Sequence, residues 1–110
     1  MNYKIESIPL FDKQAKRLSK KYSSIKRDLN ILIESLADNP EKQGVPLGNN
    51  FYKIRFSISA KGKGKRGGAR IIIYVKVSAH KVYLSSIYEK GEKETISDKE
   101  LKVIFKSIPN

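Results

Sequence analysis

Two stretches of alternating residues carry the side chains best suited to chemistry. In residues 51–59, Lys53 and Arg55 alternate with Tyr52, Ile54, Phe56 and Ile58. In residues 69–77, Arg70, Tyr74 and Lys76 alternate with Ile71, Ile73, Val75 and Val77. A period of two marks a strand with two different faces. A symmetric hairpin across the loop KGKGKRGG, residues 61–68, sets Arg55 opposite Tyr74, Lys53 opposite Lys76 and Ser59 opposite Arg70. Lys53, Arg55, Arg70, Tyr74 and Lys76 then share one surface, and the apolar sets share the other. A slip of one residue would bury charge, so the hydrophobic pattern supports this grouping, although the long loop leaves the register itself open.

Such a surface suits a phosphodiester. Arginine offers planar paired donors to phosphate oxygens, and lysine supplies compact charge. Tyrosine stacks on a base or bonds to the backbone. With RNA, the same groups could stabilise charge on a phosphorane as the 2′-OH attacks. Crowded positive charge also favours the neutral form of a lysine amine, which can then move a proton. Residue types alone leave binding and cleavage equally open.

Other signals are weaker. The loop resembles a phosphate-binding glycine loop but lacks the Gly-Lys-Ser/Thr ending of a P-loop, so a basic hairpin tip contacting nucleic acid through Lys61, Lys63, Lys65 and Arg66 is the plainer reading. His80 follows a turn and reads as incidental. Glu89, Glu92 and Glu94 could supply a general base, but read more simply as solvated turn residues. No carboxylate cluster suggests a metal site.

The charge distribution supports a polyanionic partner. The chain holds 23 Lys and Arg against 11 Asp and Glu. Between Lys42 and Tyr88 there are ten basic residues and no acid, whereas residues 1–41 carry a balance of only +2 and residues 89–110 none. Self-repulsion on that scale points to nucleic acid, an acidic protein, or both. The block does not read as an amphipathic helix, which argues against a membrane surface. Without cysteine, a disulfide scaffold, a thiolate zinc site and a cysteine nucleophile are excluded, and a reducing cytoplasm is expected. A single histidine excludes paired-histidine RNA cleavage and multi-histidine metal sites. No apolar run is long enough to span a bilayer, and the N-terminus does not read as a signal peptide. Neither metal nor cofactor is expected.

The elements that must position these residues follow from periodicity. Residues 3–8 read as a short strand closed by Pro9. Phe11, Ala15, Leu18 and Tyr22 lie on one face of a first helix, and Ile25, Leu29, Leu32, Ile33 and Leu36 on one face of a second that ends before Asn39-Pro40. Ser23 and Ser24 break the first and can cap the second. Residues 41–50 read as a turn-rich connection, followed by strands at 51–59, 69–77 and 81–88. Ser97 and Glu100 form a capping box that opens a helix with Leu101, Ile104, Phe105 and Ile108 as its apolar stripe. The order β-α-α-β-β-β-α predicts an α+β domain over residues 1–110: a small antiparallel sheet with an N-terminal helical hairpin and a C-terminal helix.

Element order, together with FYKIRFSI, KGKGKRGGARIIIYV and VYLSSIYEKGEKETIS, resembles the RelE/ParE superfamily of type II toxin–antitoxin toxins, in its HigB/RelE-like branch. The resemblance spans essentially the whole chain and is most specific from Phe51 to Glu94. It implies the RelE-like fold and a metal-independent, ribosome-dependent endoribonuclease (an mRNA interferase) that cuts translated mRNA by 2′-OH attack and arrests growth. The family's basic strand positions match Lys53, Arg55 and Arg70, and a further basic residue after the last strand corresponds to Lys90 or Lys93. The implied partners are a cognate acidic antitoxin, the ribosome and mRNA. In this sequence the C-terminal segment EKETISDKE lacks the stacking tyrosine of well-known members, and Tyr88 is the nearest substitute. ParE-type members share the fold but poison DNA gyrase; that target, and a non-toxic basic nucleic-acid-binding module, are the alternative readings.

Overall fold

The computed structural model describes residues 2–61, 68–93 and 95–109. Strand β1 (Lys4–Ser7) leads into α1 (Pro9–Lys21) and α2 (Ile25–Asp38). Four strands follow, β2 (Val45–Gly48), β3 (Phe51–Phe56), β4 (Ala69–Lys76) and β5 (Lys81–Glu89), and then α3 (Asp98–Ser107). They form a five-stranded sheet in the order β1-β5-β4-β3-β2. Proline at the first turn of α1 fixes a helical φ where no N–H partner exists. The predicted capping box is present: Ser97 accepts from the Glu100 N–H at 3.1 Å, and the Glu100 carboxylate accepts from the Ser97 N–H at 3.1 Å.

The α+β class and the antiparallel meander of β3, β4 and β5 agree with the sequence expectation. Two strands alter the sheet. β2 lies within the segment expected to be irregular, and it pairs with β3 at the edge, where Pro46 costs no internal ladder bond. β1 pairs with β5 in parallel, with Ile5 beside Val82, so the sheet is mixed rather than purely antiparallel. The physical reason is the helical hairpin. Two helices intervene between β1 and the meander and return the chain to the far side of the sheet, so β1 can run alongside β5.

Ile54, Phe56, Ile71, Ile73, Val75, Val82, Leu84 and Ile87 are buried in one cluster with Phe11 and Leu18 of α1 and Ile25 and Leu36 of α2. A bulge at Ser85 displaces the β5 register by one residue between Ile72 and Ile73 of β4. It reverses the alternation, so that Tyr83 opposite Tyr74 and Tyr88 opposite Arg70 face the same way although their numbers differ in parity. Helix α3 covers part of this second face, with Phe105 edge-on to Tyr74 at 5.7 Å. Among the described residues no helix is long and apolar enough to cross a membrane.

His80 takes a left-handed conformation, φ 52°, at the turn from β4 to β5, and its ring lies 5.6 Å from that of Tyr3. The turn and this contact account for it without chemistry.

Candidate nucleic-acid interface and active site

The centre of the site is a pair of arginines directly across two strands. Arg55 of β3 is the register partner of Arg70 of β4, and Lys53 is the partner of Ile72. The expected pairing of Arg55 with Tyr74, Lys53 with Lys76 and Ser59 with Arg70 is therefore corrected by four residues; Tyr74 pairs with Phe51 instead. Parity is unchanged by an even shift, so Lys53, Arg55, Arg70, Tyr74 and Lys76 do share a face.

The shift has a local cause. β3 stops at Phe56, and Ser59–Lys61 fold into a 3-10 turn anchored on α2. Asp28 accepts from the Ser59 N–H at 2.9 Å and the Ser59 hydroxyl at 2.6 Å, and the Ser24 hydroxyl donates to it at 2.8 Å. Ser24 also accepts from the Ala60 N–H at 2.8 Å. Ser24 thus stands at the start of α2 but ties it to the hairpin root instead of capping it. Burial opposes ionisation of Asp28, yet the bonds from Ser59 and Ser24 outweigh it and hold the carboxyl below its ordinary pKa. At the other end of the hairpin a Cβ on Gly68 would stand 2.1 Å from the Phe56 carbonyl oxygen, so this close approach requires glycine.

Arg70 is buried, 7% exposed, and donates to the carbonyl of Ala69 at 3.1 Å. Among the described residues no carboxylate forms an ion pair with it or with Arg55. Arg55 is exposed and Lys53 half-buried. Like charges directly opposite on a sheet are destabilising by up to about 1 kcal/mol. A doubly negative oxygen array placed between the two guanidinium groups would relieve that repulsion with paired, charge-assisted hydrogen bonds.

The other sequence candidates divide. Lys76 lies on the same face but donates to the Pro109 carbonyl at 3.2 Å. Tyr74 is half-buried between Phe51, at 5.1 Å, and Phe105. Tyr88 faces the arginines but is only 2% exposed, so its ring is not an open stacking platform. Its hydroxyl has no hydrogen-bond partner among the described residues. Burial raises the Tyr88 pKa, with Arg70 partly opposing. Lys93 stands over the Tyr88 ring at 5.3 Å and is held there by Glu100. That bond from Lys93, with one from the Ser97 N–H, lowers the Glu100 pKa. Lys90 is exposed beyond β5, and its N–H donates to the Gly68 carbonyl at 3.3 Å.

Lys61 lies elsewhere. Its ammonium sits 3.5 Å from Glu89 and 5.7 Å from the Tyr22 ring, on the side of the sheet packed by α1. Glu89 is not a solvated turn residue: it ends β5, is buried, and also accepts from Lys21 at 3.0 Å and Tyr22 at 3.3 Å. Burial works against its ionisation, but Lys21 and Lys61 prevail and lower its pKa. It faces away from the arginines and is no base for them. Lys63, Lys65, Arg66 and Glu94 lie outside the described residues.

Residues 10–108 match the family model described as the RelE toxin of the RelE/RelB toxin–antitoxin system. The chain belongs to the RelE toxin family. Similar solved structures include the isolated E. coli RelE toxin, with a TM-score of 0.61 at 15% identity over 96% of this chain and 99% of that one. A free-state E. coli RelE carrying two arginine-to-alanine substitutions gives 0.60 at 16% identity, covering 97% and 94%. The RelBE2 toxin–antitoxin complex of Mycobacterium tuberculosis gives 0.61 at 13% identity, covering 81% and 92%. At these identities the likeness is one of fold.

Within this RelE-family chain, Arg55 and Arg70 are direct register partners on one sheet face, and Lys53 lies one position along it. Asp28 and Glu89, which hold the hairpin root and the end of β5, were missed as anchors. The signal for Asp28 was an acid at the edge of an otherwise apolar helical stripe, four residues after Ser24. Among the described residues no group of acids and histidine could hold a metal ion.

Proposed function

We propose that this protein is the toxin of a type II toxin–antitoxin pair and a metal-independent, ribosome-dependent endoribonuclease that cuts translated mRNA in the cytoplasm. The observation carrying this reading is the opposition of exposed Arg55 and buried Arg70 on one sheet face. Arg70 and Arg55 hold the scissile phosphate and stabilise its added charge as the 2′-oxygen attacks phosphorus. The new 2′-O–P bond replaces the P–O5′ bond; one proton leaves the 2′-OH and one is delivered to the departing 5′-oxygen. Lys53 and Lys90 or Lys93 serve these transfers or add charge. Burial gives Arg70 a fixed orientation, which favours this geometry over a mobile surface arginine.

An acidic antitoxin segment, disordered until bound, neutralises the same face, in keeping with the antitoxin complex of the mycobacterial relative. The test is primer-extension mapping of a translated mRNA after brief induction, comparing wild type with Arg70→Ala. In-frame cuts that depend on translation and disappear in the variant are expected. Growth arrest with intact mRNA would refute cleavage and direct attention to gyrase. Neither arrest nor cuts would leave a non-toxic nucleic-acid-binding module.

A further inference from the structure

The arginines of the site are aimed by the sheet, because Arg55 and Arg70 stand on paired strands. Lys93 has no such support. It lies in the loop between β5 and α3, where no ladder fixes the backbone, and a lysine stem is flexible. Its ammonium nevertheless has one fixed place, over the Tyr88 ring at 5.3 Å, and Tyr88 is the register partner of Arg70. Burial raises the Tyr88 pKa, Arg70 lowers it and Glu100 raises it, so both of those charges lie close to the phenol.

The group that holds Lys93 is Glu100 of α3, and its two carboxylate oxygens have different partners. Oε1 accepts from the Ser97 N–H and from the Ser97 hydroxyl, each at 3.1 Å, and so completes the capping box. Oε2 is turned to Lys93. A capping box needs only a neutral acceptor at this position, since glutamine serves there as well as glutamate. Beyond a modest gain from the helix dipole, the charge is spare as far as the helix is concerned. An exposed ion pair ordinarily contributes little, because two long side chains must be ordered to form it. Here the cap has already ordered Glu100, so only the lysine remains to be fixed. Among the described residues Lys93 pairs with no other carboxylate, and Lys90 pairs with none.

We propose that Glu100 is a positioning residue for mRNA cleavage: it fixes the Lys93 ammonium beside the Arg55–Arg70 pair and makes Lys93, rather than Lys90, the lysine that serves the reaction. This rests on the cleavage reading and adds to it a residue outside the sheet that acts only through another side chain. The carboxylate counters the repulsion between Lys93 and the arginines, which would otherwise drive the ammonium away before a phosphate arrives.

The test is single-turnover cleavage of mRNA on programmed ribosomes at saturating toxin, with the full chain below its melting temperature. Lys93→Met should slow cleavage about 100-fold, as expected for loss of a proton-transfer group. Glu100→Gln keeps the cap and should slow cleavage about 10-fold or more through misplacement of Lys93. Because Glu100 acts only through Lys93, the double variant should be no slower than Lys93→Met alone, to within about twofold. Ile104→Val loosens the buried side of α3, and should lower the melting temperature while leaving cleavage unchanged. A second readout needs no ribosome. NMR titration of the Glu100 carboxyl should give a pKa below the ordinary glutamate value in wild type and a return towards it in Lys93→Met. Wild-type cleavage by Glu100→Gln, additive losses in the double variant, or a Glu100 carboxyl indifferent to Lys93→Met would each overturn the proposal and leave mRNA cleavage standing. A wild type that cuts no mRNA would take both down.

Discussion

Replacing Asp28 with alanine should destabilise the fold and loosen the site together. The carboxylate is buried and receives three hydrogen bonds, two from Ser59 and one from Ser24. Hydrogen bonds to a charged group each contribute about 1.5–3 kcal/mol, but three sharing one acceptor do not add. A net loss of about 3 kcal/mol is the working figure, partly from leaving the Ser59 N–H without its partner. With a urea m-value near the middle of the range for small domains, the unfolding midpoint should fall by about 1.5 M. Asp28→Asn keeps an acceptor and should lose about half as much. The sign with pH follows from the lowered pKa of Asp28 in the folded state. Its stabilisation is complete above the unfolded value of about 3.9 and fades as pH falls through the lower folded value. Acid unfolding should therefore be less steep in the asparagine variant. Because the same bonds fix where β3 ends, mRNA cleavage should fall even at temperatures where the variant is folded. A midpoint within about 0.3 M of wild type, or full cleavage by a destabilised protein, would refute the anchoring argument.

Arg55→Thr should raise stability by a few tenths of a kcal/mol, since it removes a like charge opposite Arg70, while reducing cleavage. Thermal melting and primer extension on the same preparation check both signs. Gly68→Ala forces a Cβ against the Phe56 carbonyl oxygen and should cost about 2 kcal/mol or more, read as a lower urea midpoint.

The α1 and α2 stripes, the three meander strands and the capping box were legible because each repeats a local period or pairs nearby residues. The shared face of Lys53, Arg55 and Arg70 was legible for the same reason: parity survives any even slip. The register itself was not, because Asp28 sets it from a different element, thirty-one residues from Ser59. Parallel pairing of β1 with β5 leaves no local trace, and the Ser85 bulge breaks alternation where the sequence shows only KVYLSSIY.

That parallel pairing also dictates the order in which the chain can become a toxin. β1 at Lys4–Ser7 has its ladder partner at Lys81–Leu84, and α1 rests against the same strand. A nascent chain therefore emerges with its first strand and amphipathic helix unable to dock until most of the protein has been made. The meander strands pair residues close in sequence, whereas β1 must find a distant partner, and contacts this distant close slowly. The interval between synthesis and closure leaves the N-terminal elements accessible. An antitoxin translated alongside could meet its toxin while that last edge is still open.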